Sequence, residues 1–381
     1  MKSPGYAPGL FLFLRPSFCL YNDASPITPI GASGGGTVRA TPCDTRGTPV
    51  AGAVIAALAL GLAWAGPAAA ALAPSQLALV VNDDEPNSVA IGALYRDARA
   101  IPEKNIVHVR IPKSPRQLTP EQFAPLRQHI LDRLGPDIRA VLMVWTAPYA
   151  VGCNSITSAL TLGYDAAQCS APCGPGKPSG WFGADQVSPA MAAMKISMLM
   201  PTGSVPLAKE LIARGGTRYF RFPVASAYYL TTSDSLRSVR SRLFPPAGKV
   251  ASHDLTIKRL SADALEDAQD IMFYQTGMVK VDKLDTLRFL PGALADHLTS
   301  TGGDLLGEGQ MSSLRWLEAG ATASYGTVSE PCNHVQKFPH PTVLLKRYLS
   351  GDSAIEAYWK SVAWPAQGVF IGDPLAAPYA R

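Results

Sequence analysis

The sequence predicts an α/β fold, a three-layer α/β/α sandwich on a mostly parallel sheet, over residues 74–381. Two observations carry that expectation. Short apolar runs of strand length alternate with segments of helical period, and each run closes on polar or glycine-containing turn residues. A third observation is composition: 47% of the 381 residues are hydrophobic and 17% charged, enough apolar side chain for an ordinary globular core.

The first strand is Leu77-Ala-Leu-Val-Val-Asn82, apolar throughout as a strand buried on both faces must be, and the helical pattern Ser88 to Ala100 follows it. The unit repeats with a strand at Ile106 to Ile111, a capped helix start at Thr119-Pro-Glu-Gln122, a helix from Phe123 to Leu134, and a strand at Ala140 to Trp145. Strand, helix, strand in this order makes right-handed crossovers and a parallel sheet.

From Ala147 to Pro206 the pattern fades, and Gly, Pro and three cysteines crowd residues 152–183, so an insertion tied by disulfides is expected there. Regular pattern returns with the helix Leu207 to Arg214, closed by Gly215-Gly216, before a second insertion over residues 219–260. Beyond it the spacing predicts a helix at Ala262 to Ala268 and strands at Ile271 to Tyr274 and Leu287 to Leu290. It then predicts a helix at Ser312 to Ala319, a small-residue strand at Ala321 to Val328, helices at Pro341 to Leu349 and Ala354 to Val362, and a closing strand at Gly368 to Ile371. No fixed-period repeat or linker composition interrupts this, so one domain with two insertions is expected.

Ahead of it, Arg46, the apolar run Ala51 to Ala65, Gly66-Pro67 and the alanines to Ala71 follow the order of a signal peptide over residues 50–73. The run is shorter than the ~20 residues a spanning helix needs, so a cleaved signal is preferred to a retained anchor, giving a periplasmic or extracellular product without a stable membrane span. Residues 1–49 then read as a non-native or disordered leader, with the true start near Val38 or Val50. Cys19 and Cys43 fall in these segments, leaving Cys153, Cys169, Cys173 and Cys332. Two disulfides are expected, with Cys153 the partner of Cys332; free thiols and a four-cysteine zinc site are the rivals. The net charge of +5 is spread over scattered lysines and arginines, which argues against a nucleic-acid partner.

Ligands of open parallel sheets sit at the carboxyl ends of the strands. Five segments follow the expected strands: Asn82 to Asp84, Thr146 to Pro148, Gln275 to Gly277, Pro291 to Gly303 and Ser329 to His334. Asp296, His297, Thr299 and Ser300 gather a carboxylate, an imidazole and two hydroxyls before Gly302-Gly303, whose amides can face an anion. That suits acyl transfer; a capped helix turn is the plainer reading. Glu330, Cys332 and His334 alternate, so an extended chain puts them on one side, where an imidazole can ionise a thiol; a disulfide is the alternative. Asn82, Asp83 and Asp84 with Asp373 offer hard oxygen ligands to a divalent cation, or serve as turn residues. No nucleotide, dinucleotide, zincin or esterase motif occurs in residues 74–381, and no cofactor is expected.

The segments Gly320-Ala-Thr-Ala-Ser-Tyr-Gly-Thr-Val-Ser-Glu-Pro-Cys-Asn-His334 and Phe370-Ile-Gly-Asp-Pro-Leu-Ala-Ala-Pro-Tyr379 resemble an uncharacterised family of exported bacterial proteins. More distantly, residues 271–378 resemble the gingipain and caspase-like cysteine peptidases, which implies a caspase-like sandwich, with a flavodoxin-like one as the other candidate. The resemblance also implies a histidine before glycine at one strand end and a cysteine after alanine at the next. Here those places hold Gln275-Thr276-Gly277 and Pro291-Gly292-Ala293, so the dyad is missing. Two functions remain in view: a hydrolase with a site rebuilt from Asp296, His297, Ser300, Glu330, Cys332 and His334, or a catalytically inactive binding or structural protein. In either case the ligand is an unidentified peptide or small molecule.

Overall fold

The chain is described by a computed structural model that covers residues 71–381. The expected leader, nearly all of the expected signal segment, Cys19 and Cys43 lie outside the described residues. Among the described residues no helix is long and apolar enough to cross a membrane.

The fold is mixed α/β around an 11-stranded, mostly parallel sheet. In chain order the strands are β1 (Leu77–Asn82), β2 (Ile106–Val109), β3 (Ala140–Val144), β4 (Ile196–Leu199), β5 (Ala225–Thr231) and β6 (Gly248–Val250). They continue with β7 (Leu255–Ser261), β8 (Ile271–Gly277), β9 (Phe289–Leu298), β10 (Ala323–Thr327) and β11 (Gly368–Gly372). Across the sheet they run β2-β1-β3-β4-β11-β10-β9-β8-β5-β7-β6. Every residue of β1, β3, β4, β8, β10 and β11 is buried, which explains why they carry apolar or small side chains on both faces rather than alternating.

The direction of the strands divides the sheet. β2, β1, β3, β4 and β11 run one way, and β10, β9, β8, β5 and β7 run the other, because β10 and β11 pair antiparallel. The carboxyl ends of the two halves therefore open on opposite edges. The five segments expected at one crevice are split accordingly: those after β1 and β3 lie on one edge, those after β8, β9 and β10 on the other.

The helices start near local signals, one of them, at residues 156–162, in a stretch where no helix is expected. α1 (Pro86–Arg99) starts with proline in its first turn, where a missing amide hydrogen costs nothing. α2 (Pro120–Leu131) is held by a capping box in which Thr119 Oγ1 accepts from the Gln122 amide and the Thr119 amide donates to Gln122 Oε1. α3 (Ile156–Leu162) is capped by Ser155 and α4 (Val205–Gly215) by Ser204. α5 (Leu314–Glu318), α6 (Pro341–Leu349) and α7 (Ala354–Ser361) follow, and Trp359 of α7 stacks on Phe370 of β11.

Three expectations are corrected. The two segments expected as insertions supply core strands: β4 comes from residues 147–206, and β5 and β7 from residues 219–260. Ala262 to Ala268 is a loop rather than a helix, because Asp263 accepts the Ser233 amide and hydroxyl while the Leu265 amide donates to the Tyr274 hydroxyl. Pro291-Gly292 does not end a strand. It forms a bulge in β9, where the register slips between Ile271 paired with Phe289 and Phe273 paired with Leu294, and Gly292 takes a positive φ of 87°. The strand therefore continues through Asp296 and His297, so neither sits on a helix turn.

Candidate functional site

The carboxyl ends of β9 and β10 hold the residues singled out by sequence. Asp296 lies opposite Gln275 on β8 and is fully buried. Its Oδ2 accepts from Gln275 Nε2 at 2.7 Å, and its Oδ1 pairs with Arg240, whose Nη2 also donates to the Thr276 carbonyl at 3.0 Å. Burial pushes the Asp296 carboxyl up, and Arg240 and Gln275 pull it back. It is a structural clasp between strands, with no face toward solvent.

His297 is also buried. Trp316 of α5 donates its indole N–H to His297 Nδ1 at 2.9 Å. Burial, with Arg240 nearby, lowers the imidazole to about 3, so the ring is neutral at pH 7. Since Nδ1 accepts, the ring proton sits on Nε2, which leaves no lone pair to act as a base toward Ser300.

A small cleft of about 200 Å³ does gather Arg237, Thr299, Ser300, Glu330 and Cys332. Thr299 Oγ1 accepts from Arg237 Nε at 3.1 Å and donates to Gln310 Oε1 at 2.6 Å. The Gly303 amide, expected to face an anion, donates instead to the Thr327 carbonyl at 2.8 Å. Glu330 Oε1 accepts the Cys332 amide at 2.7 Å, and the His334 ring bonds the Cys173 carbonyl through Nε2 at 2.6 Å. Cys332 is bonded to Cys173, and Cys153 to Cys169, each pair with Cα atoms 5.3 Å apart. The expected Cys332–Cys153 pairing is thus replaced by two others: the helical segment that includes α3 returns Cys169 to Cys153, and Cys332, beyond β10, meets Cys173. With its sulfur in a disulfide, Cys332 offers no thiolate. The structure brings Ser300, Glu330 and Cys332 together, encloses Asp296 and His297 in packed interior, and turns the His334 ring onto the backbone beside the Cys173–Cys332 disulfide.

The aspartates considered for a cation are also separated. Asp373 is fully buried, bonded by the Tyr95 hydroxyl at 2.7 Å and paired with Arg99. Asp83 contacts His108 Nδ1 at 2.7 Å and Asp84 accepts from Arg110 at 3.1 Å. Asn82 Oδ1 accepts the Ile111 amide at 2.9 Å. Among the described residues no group of three or more His, Cys, Asp or Glu converges as a metal site.

A second opening, wider than this cleft, lies on the other edge, at the carboxyl ends of β1, β3 and β4. It is a crevice of about 530 Å³ between the N-termini of α1 and α4, floored by Leu207, Leu211 and Arg214 of α4 and walled by Leu306, Leu314 and Leu317. Its polar end is a three-residue clasp. The Thr146 amide donates to Thr202 Oγ1 at 3.1 Å, the Thr202 amide donates to Thr146 Oγ1 at 2.8 Å, and the Thr202 hydroxyl donates to Glu85 Oε1. Glu85 Oε2 is buried with no hydrogen-bond partner among the described residues, and burial raises the carboxyl above its ordinary value. At the far end Arg214 gives Nε and Nη2 to the carbonyls of Leu317 and Ala321, at 2.6–3.2 Å, while its Nη1 makes no hydrogen bond among the described residues. Burial brings its guanidinium down to about 10, still cationic at neutral pH. Sequence reasoning reached Thr146 as a strand-end residue but missed Glu85, Thr202 and Arg214; the signal available was their position after or beside strands, one of which, β4, has no readable border.

No family model, curated protein or solved structure matches the chain.

Proposed function

We propose that the chain is an exported, non-catalytic binding protein whose ligand occupies the crevice of Glu85, Thr146 and Arg214. The observation that carries this reading is the crevice itself: a largely apolar volume of about 530 Å³ at three parallel strand ends, with a few convergent polar groups, has the build of a small-molecule site. The missing His-Gly and Ala-Cys elements, the occupied sulfur of Cys332 and the enclosed His297 support a scaffold without hydrolytic chemistry. Two disulfides support an oxidising compartment.

The test is fluorescence titration with Nile red, an uncharged apolar dye. Saturable binding that is lost in Leu207→Arg, a substitution at a half-exposed crevice residue, supports the reading. No binding, or equal binding to the variant, refutes it. A hydrolase remains the second reading because the Ser300 hydroxyl makes no hydrogen bond among the described residues and faces the smaller cleft. Turnover of a chromogenic peptide or ester that disappears in Ser300→Ala establishes it instead.

A further inference from the structure

We propose that the crevice selects a short apolar peptide, about four residues long, with its free N-terminal ammonium on Glu85 and its C-terminal carboxylate on Arg214. This rests on the binding reading above and adds the class of ligand.

Three features point to it. The first is the polar group at each end. Glu85 Oε2 lacks a donor although its other oxygen is held by Thr202; it is enclosed, so a ligand donor meets it once the carboxyl turns toward the crevice that Glu85 lines. An anion is the wrong occupant there, since it would lie against the Glu85 carboxylate, whose side chain makes no capping bond to α1, and be repelled. A cationic donor meets the oxygen without that conflict. At the other end Arg214 Nη1, without a partner among the described residues, can donate to an acceptor. Glu318, the other acid of the lining, is held by Arg315 and does not supply it.

The second feature is distance. Glu85 is tied through Thr202 to the start of α4, just before the Ser204 cap, and Arg214 is ten residues further along the same helix. At ~1.5 Å per helical residue the Ser204 and Arg214 backbone positions stand about 15 Å apart along the helix axis, which sets the scale of the separation between the two ends. An extended peptide advances ~3.3 Å per residue, so about four residues span it. The third is the surface between the ends. Leu207, Leu211, Leu306, Leu314 and Leu317 offer apolar contact and no charge, which fits apolar side chains and rejects an ionic centre.

The experiment is calorimetric titration of the full chain with the tetrapeptide Ala-Leu-Val-Ala, its N-acetylated form and its C-terminal amide, beside the Nile red titration. The expected result is saturable binding of the free peptide, weakened about tenfold or more by either blocking group, as loss of a charge-assisted contact requires. Glu85→Gln keeps a group that can accept from Thr202. It should weaken the free peptide by a similar factor and leave the acetylated one unchanged. Free peptide that fails to bind at about 1 mM while Nile red binds refutes the peptide and leaves the binding site standing. Blocked and free peptides of equal affinity refute recognition of the termini. Failure of both probes refutes the crevice as a site altogether.

Discussion

Replacing Arg240 with methionine tests the central claim about Asp296. In the native chain the Asp296 carboxylate is fully buried and rests on two partners, Arg240 at Oδ1 and Gln275 Nε2 at Oδ2. Methionine keeps much of the volume of arginine and removes the charge, so one carboxylate oxygen is left in a dry interior with no donor. Breaking a buried pair from one side costs about 3–5 kcal/mol. Arg240 also donates to the Thr276 carbonyl, which then loses that donor and places the loss toward the upper end. The double variant Arg240→Met/Asp296→Leu removes both charges and should recover most of the deficit, to within about 1–2 kcal/mol of the parent, since a buried ion pair is often replaceable by apolar groups. Urea denaturation of the parent, both single variants and the double variant gives the coupling directly. Single variants that lose less than about 1 kcal/mol, or a double variant as unstable as the sum of the singles, refute the clasp.

Two further predictions follow the same logic. Cys332→Ser opens a closed loop of 159 residues and Cys153→Ser one of 16, so chain entropy predicts losses of about 5 and about 3 kcal/mol respectively, seen as lower urea midpoints, while dithiothreitol, which opens both bonds, lowers the parent's midpoint further than either substitution. Equal midpoints with and without dithiothreitol contradict the pairing. His297, held near 3 in the fold against an ordinary 6.5, binds its proton first in the unfolded chain. Its contribution is therefore intact above about pH 6.5 and lost as pH falls from there toward 3, at up to about 1.4 kcal/mol per pH unit. Between pH 7 and pH 5 the parent should lose about 2 kcal/mol more than His297→Gln; parallel losses rule out a buried neutral ring.

The parts of the fold legible in sequence share a physical cause. β1 and β3 are buried on both faces, so Leu77 to Val81 and Ala140 to Val144 are unbroken apolar runs, and Thr119 with Gln122 writes the start of α2 in its own side chains. β7 carries its signal differently, with Leu255 and Ile257 buried and Lys258 to Ser261 at least partly exposed, so it resembles a loop when apolar runs are the criterion. β4 has four residues and follows a stretch dense in Gly, Pro and Cys, and β9 contains a proline that ordinarily ends a strand but here marks a bulge. The candidate site was less legible because clustering along the chain is not clustering in space. Asp296 and His297 are neighbours of Ser300 in sequence, yet strand geometry seats them in packed interior. Glu85 and Thr202 touch across 117 positions, with no local pattern to announce it.

The antiparallel junction between β10 and β11 has a consequence during synthesis. Residues 368–372 reach the middle of the sheet only after every other strand has been made, and β11 alone separates β4 from β10. Without them the two half-sheets would each present an inner edge of unpaired amides and carbonyls, open to pairing with a neighbouring chain. A chain truncated before β11 should therefore aggregate rather than fold as a smaller working domain.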